Sequence, residues 1–246
     1  MKFATMCAGL ALLSATGLGL AACDRSDPPV KKLERAAEDT ITEIEGETLP
    51  RQAQGPFAPR DECTDQPGAP EFLASLRRAV RDRDADALSA LAADDIKLDF
   101  GGGGGRALLA ERMADPQLAL WDELDQILTL GCASDGATMT LPWYFAQETD
   151  GDPYSALIVM GEDVPLRDMP DSDSETVTTL SWGRVDAIPE ATPAEGFRHV
   201  RWTDPATGRP TEGYIATDNL RALIDYRLMA SRRNDRWSIV NFVAGD

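Results

Sequence analysis

Histidine is nearly absent from this chain: His199 is the one histidine in 246 residues. A serine or cysteine nucleophile needs a neighbouring base, and a zinc shell needs more His and Cys than remain, so both are disfavoured. Basic charge is scarce too. Twenty-four Lys and Arg face 42 Asp and Glu, for a formal net charge of −18. Nucleic-acid phosphates and anionic headgroups both select basic surfaces, so neither is an expected partner. The glycine run Gly101–Gly105 is followed by no Gly-Lys-Ser/Thr, which excludes a Walker loop, and its spacing fails the dinucleotide pattern. No metal or cofactor is expected.

What is present begins at the N-terminus. Met1 and Lys2 lead into an apolar run from Phe3 to Leu20 that ends in Leu20-Ala21-Ala22-Cys23. A short positive segment, an apolar core and small residues before a cut are the parts of a secretory signal. The segment resembles the lipobox of bacterial lipoproteins. That resemblance implies cleavage before Cys23, a diacylglycerol on its thiol and an acylated amine, so that lipid alone tethers the chain. An uncleaved membrane helix and a plain signal peptide are the alternatives; the Gly- and Ala-rich run and the polar Asp24-Arg25-Ser26-Asp27-Pro28-Pro29 favour cleavage. The expected location is the bacterial cell envelope, facing the periplasm. Asp24 resembles an inner-membrane retention signal in enteric bacteria, and the choice of membrane stays open.

The chain holds four cysteines. Loss of Cys7 with the signal and of Cys23 to lipid leaves Cys63 and Cys132, which an oxidising periplasm would join. Two unrelated buried thiols are the alternative. Val30, Leu33, Ala37, Ile41 and Ile44 recur at helical spacing in an acidic spacer, and Arg51 to Pro70, with Gly55, Pro56, Pro59, Pro67 and Gly68, reads as linker.

The folded region opens with Phe72, Leu73, Leu76, Ala79 and Val80, an amphipathic helix to about Asp84. Asp84 or Asp86 caps a second helix with Leu88 and Leu91. Ile96, Leu98 and Phe100 alternate with Lys97 and Asp99 as a half-buried strand does. This order resembles the start of a nuclear-transport-factor-2-like domain, which implies a cone-shaped α+β fold with a curved antiparallel sheet around a pocket. Gly101–Gly105 with Arg106 could hold an anion on backbone amides; a flexible turn is the plainer reading. Leu108, Leu109 and Met113 mark one further helix, and Leu120, Trp121, Leu124, Ile127 and Leu128 another. Asp135-Gly136 and the run Ala137 to Gln147 suggest strands, with Pro142 at an edge or bulge.

From Tyr154 to Ile215 the chain carries Gly161-Glu162-Asp163-Val164-Pro165-Leu166-Arg167, Pro170, Ser174, Leu180-Ser181-Trp182, Val200-Arg201-Trp202 and Gly213-Tyr214-Ile215. This resembles a bacterial Src-homology-3-like domain. It implies a small β-barrel that binds peptides or cell-wall material, with the stretch Ile188 to Glu195 longer than the pattern. Leu220, Leu223 and Ile224 suggest a helical turn, and a long hairpin follows around Asn234-Asp235.

The expected class is α+β, with N-terminal helices and a curved antiparallel sheet combined with the barrel. The segments are a signal at 1–22, the lipidated N-terminus and spacer at 23–70, an α+β region at 71–150, the barrel at 154–217 and a hairpin at 218–246. That hairpin either completes the α+β region around an inserted barrel or extends an enlarged barrel.

Two functions follow. One is a non-catalytic binding module whose Tyr154, Trp182 or Tyr214 holds an envelope protein, a peptide or peptidoglycan. The other is a small-molecule carrier or enzyme whose cone pocket is lined by Trp121, Trp143 and Tyr144. An enzyme would draw on Asp94, Asp95, Asp99, Glu123 and Asp125 as acid and base, since His199 sits in an alternating strand and reads as structural. We expect Cys23→Ser to change both processing and membrane fractionation, read by intact mass and by fractionation; an unchanged pattern would sink the lipoprotein reading.

Overall fold

The computed structural model describes residues 52–189 and 194–245. Cys23, the spacer helix over Val30 to Ile44, and part of the Ile188 to Glu195 stretch lie outside the described residues. Among the described residues there are four helices: α1 (Ala69–Arg81), α2 (Ala85–Leu91), α3 (Arg106–Ala114) and α4 (Leu120–Thr129). The strands are β1 (Ala92–Lys97), β2 (Ala133–Ser134), β3 (Thr138–Leu141), β4 (Ala156–Val159), β5 (Val164–Arg167), β6 (Thr176–Leu180), β7 (Arg184–Ala187), β8 (Phe197–Thr203), β9 (Pro210–Ala216), β10 (Leu220–Ala222), β11 (Arg227–Arg233) and β12 (Arg236–Val243).

The helices form where the sequence places an apolar stripe between capping signals. In α1, Pro70 occupies the first turn with Glu71, Arg78 and Arg81 lie in the last turn, and Phe72, Leu73, Leu76, Ala79 and Val80 are buried. Proline needs no hydrogen-bond acceptor at that position, and the charges complement the helix dipole. The Asp84 carboxylate accepts from the Ala87 amide at 2.9 Å and starts α2. Each buried leucine on these faces contributes about 1.5–3 kcal/mol of transfer free energy.

The strands form two sheets. A five-stranded sheet runs β1-β12-β11-β3-β2, and a seven-stranded sheet runs β10-β4-β7-β8-β9-β5-β6. The second sheet lies in sequence wholly between β3 and β11, which pair with each other from Leu228↔Leu141 to Ser231↔Thr138. The hairpin of β11 and β12 turns at Asn234 and Asp235, both with positive φ (52° and 60°), as two-residue turns that match strand twist require. The helices cover one face of the five-stranded sheet, where Leu76, Leu124, Met139, Leu228 and Ile239 belong to one buried cluster. Leu88, Leu109 and Phe242 close around a gap with no room for water, so the interior between helices and sheet is packed.

Several expectations are corrected. The described part of the expected linker, residues 52–70, is not a linker. Ala58 and Cys63 are buried, Asp61 bridges Cys132, and Cys63 is joined to Cys132 with Cα atoms 5.8 Å apart. The first strand ends at Lys97 rather than Phe100, and it pairs parallel with β12, so the sheet is mixed rather than antiparallel. After β3 the chain turns into a short 3₁₀ segment, Trp143–Ala146, instead of a further strand. Leu220–Ala222 is a strand rather than a helical turn, and it pairs with β4. The seven strands remain an open sheet with β6 and β10 as its edges; among the described residues no ladder closes them into a barrel.

The two sheets meet at Arg221. On β10, its side chain is 4% exposed and its guanidinium sits 2.8 Å from Glu123 and 3.7 Å from Asp225. It donates further to the Gln126 side chain at 2.7 Å and to the Tyr226 carbonyl at 3.2 Å. Burial pushes the neighbouring Tyr144 hydroxyl up to about 12, while the Arg221 charge pulls the other way.

The Cys63–Cys132 loop, with a sequence separation of 69, would stabilise the fold by about 4 kcal/mol in the chain-entropy model. We expect the Cys63→Ser/Cys132→Ser double variant to melt about 10 °C lower by calorimetry. An unchanged melting temperature would contradict a restraining role.

Candidate functional site

The main concavity lies on the face of the five-stranded sheet opposite the helices. Strand alternation places it there: Leu228 and Ala230 of β11, and Ile239 and Phe242 of β12, join the helix-facing core. Arg227, Met229, Asn241 and Val243 line a cleft of about 740 Å³ instead. A bulge between Met229 and Ala230 keeps this alternation in step across the pair. Phe145, from the 3₁₀ segment after β3, and Phe100, from the loop after β1, form the walls.

The glycine run builds the rim. Gly105 and Leu98 amides donate to the Ile96 and Gly103 carbonyls at 2.7 and 2.9 Å, so the loop folds back on the end of β1. The Asp99 carboxylate accepts from the Gly101 and Gly103 amides at 2.9 and 2.7 Å and pairs with Arg112. A Cβ at Gly103 would collide with the Asp99 carboxylate, and one at Gly104 with the Ile96 carbonyl, which is why side chains are excluded there. The run is therefore an ordered turn. The anion on the two amides is the chain's own Asp99, so the run is a turn, as the plainer reading expects, and these two amides do not hold an outside anion. The Gly103 amide, with help from Arg112, holds the Asp99 carboxyl below the usual carboxylate range.

Arg227 forms the floor. It is 5% exposed, and its guanidinium lies 4.3 Å from the centre of the Phe145 ring and 5.5 Å from that of Phe100. It donates to the Gly245 carbonyl at 2.7 Å. Phe100 is 58% exposed, large for an aromatic side chain.

The residues expected to form sites are dispersed. Tyr154 is exposed in the turn before β4, with its amide on Asp152. Trp182 is half-buried against a cluster containing Leu130 and Ala156, and its carbonyl accepts from the Phe57 amide at 3.0 Å. Tyr214 stacks on His199 with ring centres 4.7 Å apart. None of the three lines the 740 Å³ cleft or a second cleft of about 470 Å³ beside Phe57 and Trp202.

The expected cone-pocket aromatics also lie elsewhere. Trp143 and Tyr144 are core residues, with the Trp143 indole donating to Glu62 at 2.8 Å. The Trp121 indole donates to the Met113 carbonyl at 3.0 Å, and its ring lines a small cleft by Arg83. Burial among apolar neighbours, which the sequence pattern does expose, consumed these rings as packing.

Of the carboxylates, Asp94, Asp95 and Asp99 line the main cleft. Asp94 pairs with Arg106 at 3.1 Å, Glu123 with Arg221 and Asp125 with Arg83 at 2.7 Å. Among the described residues no group of three His, Cys, Asp or Glu is arranged to hold a metal ion.

No family model and no curated protein matches the chain. Solved structures similar to it include an NTF2-like protein with a cystatin-like fold from Novosphingobium aromaticivorans. That protein is 15% identical, with 70% of this chain and 75% of that chain covered and a TM-score of 0.23. Another, from Xanthomonas campestris, is described as a calcium/calmodulin dependent protein kinase II association domain. It is 12% identical over 78% of this chain and 98% of that one, with a TM-score of 0.26. At these scores neither likeness assigns a fold or an activity here.

In the sequence Phe100 reads only as a strand residue, and no pattern there marks Phe145, Arg227 and Asn241 as neighbours. One signal existed: an arginine directly preceding the apolar Leu228 and Met229 marks a charged side chain at the edge of a core. The Asp99 geometry makes a test available. Its lowered folded-state value means that its charge stabilises above the unfolded value near 4 and that this contribution is lost as pH falls through the folded value. Asp99→Asn should therefore be less stable to urea than wild type at pH 7, and the difference should shrink as the pH falls below about 4. A difference that persists unchanged at acid pH would contradict the ionic role.

Proposed function

We propose that this chain is a non-catalytic ligand-binding protein of the bacterial envelope, tethered by acylated Cys23 and holding a small molecule in the sheet-face cleft. The observation that carries the reading is the cleft itself. Its 740 Å³ falls within the size of small-molecule sites, roughly 300–1,000 Å³, and it combines apolar walls with a few converging polar groups. Ordered glycines, a packed 3₁₀ wall and sheet residues preform it, so little ordering entropy opposes binding.

The helices and the five-stranded sheet support a nuclear-transport-factor-2-like reading of that part, with the packed interior moving the concavity to the other face. The segment Ala156–Ala222 supports a Src-homology-3-like reading. Its strands β10, β4, β7, β8 and β9 are neighbours in that order, and a 3₁₀ turn at Thr217–Asn219 precedes β10. The hairpin of β5 and β6 fills the long excursion between β4 and β7. In this reading the open sheet is an accessory module, because its candidate aromatics do not converge on a cleft.

Mature protein incubated with a small-molecule extract of envelope and examined by native mass spectrometry should carry a bound species of low mass. Met229→Trp, which fills the cleft, should lose it. A wild-type spectrum without any adduct, or an adduct kept by Met229→Trp, would sink the proposal.

A further inference from the structure

We infer that the ligand of this cleft is an uncharged flat ring carrying an adjacent N–H donor and carbonyl acceptor, a cyclic amide, read by the side-chain carboxamide of Asn241. The inference rests on the cleft being a ligand site. Strand register places Asn241 in the middle of the floor: it pairs with Met229 of β11 on one side and with Lys97 of β1 on the other, and all three line the cavity. Directly paired residues share a sheet face, so this row runs across the cleft. The charges around it are already engaged or solvated. Asp99 is held by Arg112 and two backbone amides, and Asp94 by Arg106. Arg227 has Phe145, Phe100 and the Gly245 carbonyl among its partners within the protein. Asp95 and Lys97, opposite in sign, stand exposed at the rim, where water screens them.

A carboxamide offers two N–H donors and an oxygen with two lone pairs. Among the described residues the Asn241 side chain makes one hydrogen bond, donating to the Met229 sulfur at 3.4 Å. A thioether is a weak acceptor, so this contact orients the group and leaves its oxygen and second N–H for a guest. A hydrocarbon seated there would cover the oxygen without giving it a donor, and an ion would lose hydration that a carboxamide alone does not replace. A guest with its own donor and acceptor side by side meets both needs, in the paired fashion by which asparagine reads an adenine edge. The walls select a flat body. Phe145 and Phe100 offer aromatic surface, Met229 and Val243 aliphatic surface, and Gly102 to Gly105 a rim free of side chains. Phe100, exposed at the rim, is placed to cover a ring as it enters.

The test uses the mature protein and three probes of similar size measured by titration calorimetry: 2-quinolinone, 1-methyl-2-quinolinone, which lacks the N–H, and 2-naphthoate, which is charged. The cyclic amide should bind tighter than either of the others by about tenfold, the scale of one or two hydrogen bonds. Asn241→Leu should bring 2-quinolinone and its methyl derivative within twofold of each other, which separates loss of the hydrogen bond from crowding by the methyl group. Phe100→Ala should weaken all three. Binding of the methyl derivative or of 2-naphthoate within twofold of 2-quinolinone in wild type would overturn the cyclic-amide assignment and leave the cleft as a ligand site. A preference for 2-quinolinone that Asn241→Leu leaves unchanged would overturn the role of Asn241 and with it the assignment. Binding that Met229→Trp leaves intact would overturn both readings, because the probe would sit elsewhere. Failure of all three probes to bind wild type would also overturn the assignment, whereas the envelope-extract adduct decides the cleft reading separately. Should Asn241→Leu fail to fold, the wild-type ranking and the Phe100→Ala result still decide the question.

Discussion

The architecture depends on one buried cation. Arg221 sits on an edge strand of the seven-stranded sheet, yet its guanidinium is matched by Glu123 and Gln126 of the helical layer and by Asp225 on the return to the other sheet. Removing a charge from water is costly unless partners are close, and although the Arg221 Nε is left without a hydrogen bond, the contacts of its two terminal nitrogens favour this relative placement of the two sheets. Tyr144 packs in the same region, its hydroxyl kept protonated by burial. A merely apolar contact would permit sliding; a matched buried ion restricts register.

That placement positions the cleft. The inserted module leaves the five-stranded sheet after β3 and returns before β11, so both ends of the excursion lie beside the Phe145 and Arg227 walls. The disulfide fixes the segment before α1 to the chain just after α4, which braces the sheet's other end. The Asp99 turn closes the rim by satisfying its own anion. Strong local constraints on three sides thus leave a cavity that nothing within the described chain fills.

Parts of the fold were legible because they depend on neighbours in sequence. The apolar stripe of α1, the Asp84 cap and the Asn234-Asp235 hairpin each express a local rule, and each appears in the structure. The cysteine pair was legible by elimination, with a bond observed between Cys63 and Cys132. The linker reading failed because Pro and Gly report irregular backbone, and irregular backbone can still be buried, as Ala58 and Cys63 are. The cone-pocket aromatics failed for a related reason: periodicity separates inside from outside without saying whether the inside contains a space.

Composition and spacing by themselves determined the acidic balance, the scarcity of histidine, the helical faces and the tight turns, since these follow from residue type and local periodicity. Only tertiary structure decided that β1 would lie parallel to β12, because a strand's alternation specifies its faces and carries no name of its partner. It also decided that Phe100, Phe145, Arg227 and Asn241 would meet. They are drawn from a loop, a 3₁₀ turn and two strands, and the long-range pairing that brings them together is set by the packing of the whole core.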